Sequence, residues 1–179
     1  EPYLQNNGVW MDVINPTNRY IIETPVNSVQ QAREVVNNQR NQLNTVAALR
    51  LGKIVIVLFN FQRPLHWTGA VIKRTRDNPV EYTAYYIDPL GYAYPKNGRT
   101  NLMANAFFQE VGRQGNLRVH EFQVIQQTSG VSCGPLTVEN MIYLARAPAN
   151  TPINELEQGL RQFRDQNIEN FIIDLRSMG

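Results

Sequence analysis

The chain has 179 residues, 42% of them hydrophobic and 18% charged, and a formal net charge of +2. That size and balance fit one ordinary globular domain, expected over residues 1–179. So small and scattered a charge argues against nucleic acid as a partner, and no apolar run approaches the roughly 18–20 residues that cross a bilayer. The N-terminus lacks the basic-then-apolar pattern of a signal peptide, and a start on Glu1 rather than Met is expected of a piece of a longer protein. One cysteine and two histidines leave no internal disulfide and no metal-ligand spacing, so neither a metal nor a cofactor is expected. A lone thiol suits the cytoplasm or another reducing compartment.

In chain order, Val9–Ile14 reads as one or two helical turns ending at Pro16, and Arg19–Glu23 as a short strand. From Ser28 to about Arg50, Val29, Ala32, Val36, Leu43 and Ala47 recur at helical spacing, with Ser28 as N-cap and Gly52 as the stop. Lys53–Phe59 is nearly all apolar or β-branched, as suits a strand covered on both faces. Trp67–Lys73 and Glu81–Ile87 flank the turn signal Asp77-Asn78-Pro79 and predict a hairpin. Lys73–Arg76 reads as a solvated strand end. Asn101–Val111 predicts a helix, Leu117–Ile125 a strand, and Cys133 to about Arg146 a helix. Thr151 with Pro152 predicts another helix start, and Ile168–Leu175 a short final piece. The layout is α+β: a central mixed or antiparallel sheet flanked by helices, in a single domain.

Four residues carry chemistry if the fold gathers them: His66, Asp88, Gln127 and Cys133. A histidine can take a thiol proton, a carboxylate can orient the imidazole, and a glutamine amide can donate to an oxyanion. Cys133 opens a helix, because Pro135 is tolerated only in a first turn, and a thiol there meets unpaired N–H groups that lower its pKa. The alternative is an inert buried cysteine. Asp88 before Pro89 is also a natural turn former, and His66 at a strand head could be a surface residue. If the hairpin pairs as predicted, His66 and Asp88 sit at adjoining strand ends. Gln127 is preferred to Gln126 on spacing, and His120, beside Glu121, reads as structural.

His66-Trp67, Asp88, Gln127 and Cys133-Gly134, in that order and with six residues from glutamine to cysteine, resemble the Ulp/sentrin-type ubiquitin-like-protein-specific cysteine proteases of clan CE. Trp10-Met11-Asp12 is similar to that family's tryptophan-containing stretch near the domain start. The resemblance covers about residues 3–147. It implies Cys133 as nucleophile at a helix N-terminus, His66 as base, Asp88 as its orienter and Gln127 as oxyanion donor. It further implies that Trp10 and Trp67 wall a tunnel admitting only a Gly-Gly tail, although core aromatics would look the same. Ser132 where the family carries an acid, Pro135 after Gly134 and Pro89 after Asp88 are departures, and they lean towards the bacterial effectors of this clan.

The resemblance implies a thiol isopeptidase acting on ubiquitin or a ubiquitin-like protein: ubiquitin first, NEDD8 next, then SUMO. Such an effector would work inside a host cell, as a monomer. Asp12 and Glu23 are candidates for docking the basic tail of ubiquitin. Two other readings are an acetyltransferase of the related effector branch, using acetyl-CoA, and a non-catalytic ubiquitin-binding module. Asp88 in place of that branch's glutamate and the absence of a basic cluster count against the acetyltransferase.

Overall fold

The computed structural model describes residues 19–37, 44–62, 65–91, 99–127 and 132–164. The stretches Val9–Ile14 and Ile168–Leu175, with Trp10 and Asp12, lie outside the described residues. Strands β1 (Arg19–Val26), β2 (Ile54–Gln62), β3 (Leu65–Asp77), β4 (Val80–Ile87) and β5 (Leu117–Phe122) form a mixed sheet in that order. The hairpins β2–β3 and β3–β4 are antiparallel, the second closing on Asp77↔Val80, as the Asn-Pro turn predicts. The outer pairs β1–β2 and β4–β5 are parallel. A parallel pair cannot be joined by a tight turn, so each needs a crossover. Helices α1 (Val29–Val36) and α2 (Thr45–Arg50) supply the first, and α3 (Arg99–Gln114) the second.

All three crossover helices bury their apolar stripes on one face of the sheet. Val55, Val57, Phe59 and Phe61 of β2 pack there with Ala32, Val36, Leu49, Phe107 and Phe108. The alternate β2 residues, Ile56 and Leu58, point the other way and meet α4 (Cys133–Arg146) and α5 (Ile153–Leu160) through Val138, Met141 and Leu156. Helices on both faces explain the unbroken apolar run of β2. Among the described residues no helix is long and apolar enough to cross a membrane.

Beyond shifts in element bounds, such as β5 ending at Phe122 rather than at Ile125, three expectations change. The periodicity over residues 28–50 belongs to two helices rather than one: Asn37 ends α1, and the Asn44 side chain accepts from Ala47 N at 2.7 Å and caps α2. Asparagine competes with the helical backbone for its own hydrogen bonds, which suits it to these boundaries. At α5 the cap position is Pro152, because the Thr151 hydroxyl turns back to donate to Pro148 O at 2.7 Å. Lys73 is not a solvated strand end: it is 4% exposed, and its Nζ donates to Ala147 O at 2.6 Å, at the C-terminal end of α4. That helix end leaves carbonyls without helical partners, and a buried ammonium is well suited to one of them.

Candidate active site

Helix α4 lies unusually close to β3, and the sequence supplies the reason at Gly69. A methyl group there would stand 2.8 Å from Met141 Sδ, so that the methionine would have to shift, and 3.0 Å from Thr137 Cγ2, a contact tight enough that the threonine would have to give. One turn beyond Cys133, Thr137 Oγ1 donates to Trp67 O at 3.2 Å. With Lys73 bonded near its far end, α4 is held to β3 at both ends and pressed onto it between them. This seats Cys133, the first residue of α4, over the His66-Trp67 end of the strand.

The Cys133 sulfur therefore meets polar groups rather than hydrocarbon. It is hydrogen-bonded to the His66 imidazole and to the backbone of Trp67 and Gly134. His66 is 2% exposed, and its Nε2 lies 2.7 Å from Asp88 Oδ1, leaving Nδ1 as the ring nitrogen for the thiol. Asp88 follows the last residue of β4 and sits where the hairpin reading puts it. Its Oδ1 also accepts from Leu90 N at 2.9 Å, and its carbonyl accepts from Gly91 N at 2.8 Å. The turn-forming role and the histidine contact are thus met by the same side chain. Gly91, at φ 56°, lets this turn approach Val124, whose carbonyl oxygen would stand 2.8 Å from a Cβ.

Electrostatics couple the thiol and the imidazole. Burial disfavours charge on both, raising the thiol and lowering the imidazole. The contacts overturn this: the bond to Asp88 and the bond to Cys133, with their negative charge, push His66 up to about 9. The His66 contact, followed by the Trp67 and Gly134 backbone bonds, holds the Cys133 thiol below its ordinary value. The helix N-terminus acts in the same direction. The arrangement favours a thiolate beside an imidazolium, which is the reactive state of a cysteine nucleophile.

Gln127 is buried, and the segment that carries it is tied to the Asp88 turn: Gln126 N and Gln127 N both donate to Pro89 O at 2.9 Å. The Gln126 side chain is committed elsewhere. Its Nε2 donates to Asn140 Oδ1 at 2.7 Å and to Leu160 O at 2.8 Å. Trp67 is half-buried, with its indole beside Gly134 (a Cβ there would stand 3.6 Å from Cδ1). Its partner in the expected tunnel, Trp10, lies outside the described residues. Glu23 is exposed on β1, the outermost strand on that side among the described residues. His120 packs edge-on against Phe122 at 4.7 Å, on β5 opposite Tyr85. Sequence reasoning missed Thr137, Asn140 and the close approach at Gly69. A glycine inside an apolar strand was the available signal for the last.

Residues 53–169, more than half of the chain, match the family described as RickCE-like, catalytic domain. No curated protein matches. Among solved structures, the fold is similar to the ASFV pS273R protease, with a TM-score of 0.55 and 14% identity over 89% of this chain and 60% of that one. It is similar to the Rickettsia bellii effector protein RickCE, with a TM-score of 0.53 and 13% identity over 90% and 89% of the two chains. It is also similar to a de-sumoylating protease, with a TM-score of 0.53 and 11% identity over 99% and 74%. The likeness at these identities is one of fold, and this chain spans about three fifths of the length of the ASFV enzyme.

Proposed function

The chain belongs to the family of RickCE-like catalytic domains, within the clan CE group that its motifs resemble, and from that premise we propose that it is a thiol isopeptidase. Its substrate is a conjugate of ubiquitin or a ubiquitin-like protein, cut after the terminal Gly-Gly. The observation that carries this reading is the chain of contacts Cys133–His66–Asp88, with 2.7 Å between the imidazole and the carboxylate.

The Cys133 thiolate attacks the carbonyl carbon of the terminal glycine, and the carbonyl electrons move to oxygen. The Gln127 amide and the Cys133 N–H donate to that oxyanion. As the tetrahedral intermediate collapses, the C–N bond breaks and the His66 imidazolium gives its proton to the departing amine. The neutral imidazole then removes a proton from water, hydroxide attacks the thioester, and the thiolate leaves with His66 protonated again. Asp88 accepts from Nε2 throughout and keeps Nδ1 facing the sulfur. Trp67, alongside Gly134, serves as a wall for a tail without side chains.

The test is labelling by C-terminal electrophiles of ubiquitin, NEDD8 and SUMO. We expect a covalent adduct, fastest with ubiquitin and absent in Cys133→Ala. Labelling by SUMO alone overturns the ranking of substrates. No labelling by any of the three, with transfer of labelled acetyl from acetyl-CoA, overturns the isopeptidase. Tight ubiquitin binding with no reaction, equal in Cys133→Ala, leaves a binding module.

A further inference from the structure

Gln126 and Asn140 form a reciprocal amide pair in the interior. Gln126 Nε2 donates to Asn140 Oδ1 and Asn140 Nδ2 donates to Gln126 Oε1, both at 2.7 Å. The two residues are 1% and 0% exposed. The second Nε2 hydrogen of Gln126 goes to Leu160 O at 2.8 Å, the last carbonyl of α5. A carbonyl can only accept, so this bond sets which end of the Gln126 amide is nitrogen, and Asn140 must then present its oxygen to that nitrogen. The pair has one satisfied arrangement, and burial makes any other one costly.

Its place in the fold gives it a second consequence. Asn140 lies seven residues after Cys133 on α4, about two turns along the same helix. Gln126 immediately precedes Gln127, and both backbone N–H groups are held by Pro89 O, next to Asp88. The backbone at Gln127 is therefore referenced to the helix that carries the thiol and to the turn that carries the carboxylate. An oxyanion donor needs such referencing, since a displacement of about 1 Å can cost on the order of 100-fold in rate.

We infer that the Gln126–Asn140 pair is the positioning device that holds Gln127 in register with Cys133. This rests on Gln127 acting as oxyanion donor in the reaction proposed above. Gln126 and Asn140 touch no reacting atom; they act through their neighbour.

The experiment uses whichever fluorogenic ubiquitin, NEDD8 or SUMO amide the native chain cleaves fastest. Gln126→Met keeps the shape and removes the amide; Asn140→Ser is the milder companion should the first fail to fold. Each is expected to lower kcat about 10- to 100-fold with KM within about threefold. Alkylation of Cys133 by iodoacetamide, which needs the thiolate but no oxyanion donor, should stay within about twofold of the native rate. In a Gln127→Ala background the same substitutions should cost less than about threefold more, because the donor they position is already gone. The length swap Gln126→Asn with Asn140→Gln should restore much of the lost kcat.

Folded Gln126→Met or Asn140→Ser with native kcat overturns the inference. So does a full additional loss in the Gln127→Ala background, or a parallel fall in alkylation. A Gln127→Ala variant with native kcat instead overturns the oxyanion role itself, which separates failure of the underlying reading from failure of this one.

Discussion

His66 Nε2 and Leu90 N converge on a single oxygen of Asp88, at 2.7 and 2.9 Å. The turn that ends β4 therefore aims the carboxylate at the imidazole, and no separate element is needed to orient it. An Asp88→Asn substitution keeps the size of the side chain and removes its charge. The imidazolium loses its anionic partner, so the His66 pKa falls from about 9. The alkaline limb of the kcat/KM profile moves to lower pH, and kcat/KM at neutral pH falls about 10²- to 10⁴-fold. Steady-state kinetics across pH checks both.

For the unaltered protein the signs of the two shifts set the pH window. The thiolate forms as pH rises through the lowered Cys133 pKa, and the imidazolium is lost as pH rises through about 9. Activity rises on the acid side below the ordinary thiol range, holds, and declines near pH 9. The two limbs belong to the coupled pair rather than to either residue. Iodoacetamide alkylation against pH reads the acid limb, and kcat/KM on a fluorogenic amide against pH reads the alkaline one. In His66→Ala the alkylation midpoint should move up towards that of an ordinary thiol; an unmoved midpoint contradicts the contact.

Gln127→Ala should lower kcat about 10²- to 10³-fold, the range for losing one oxyanion donor, with little change in KM. Kinetics on the same fluorogenic amide reads both constants.

Gly69→Ala should press Met141 and Thr137 away from β3. Overpacking of this kind typically costs about 1–3 kcal/mol. Because the displaced helix carries Cys133, a fall in alkylation rate should accompany the lower thermal midpoint. Gly52→Ala provides contrast, since nothing lies within 4 Å of its Cβ position and any cost there comes from its φ of 78° alone.

Lys73→Met tests the other end of α4. It leaves Ala147 O without its buried donor and should cost about 1.5–3 kcal/mol in denaturant unfolding. Alkylation of Cys133 should hold within about twofold, because α4 is tied near the site by Thr137 and Trp67.

The cysteine and histidine proposed to carry the chemistry were visible along the chain because their types are rare here, and Asp88 because of its local setting. Cys133 precedes a proline that only a first helical turn accepts, Asp88 ends an apolar strand, and His66 begins one. The β3–β4 hairpin was legible from Asn78-Pro79, so the nearness of His66 and Asp88 followed from local rules. The single helix expected over 28–50 failed because periodicity does not register a break whose flanks keep the same face.

What the amino-acid order determined by itself was local: periodicity, turn chemistry and caps depend on neighbours a few residues apart. Only the tertiary structure decided that α4 descends onto β3 far enough for sulfur to meet imidazole. That approach rests on Gly69, Thr137 and Lys73, which act on residues some seventy positions away. It likewise decided which of two adjacent glutamines turns inward to Asn140, since burial and hydrogen-bond partners depend on chain segments distant in sequence.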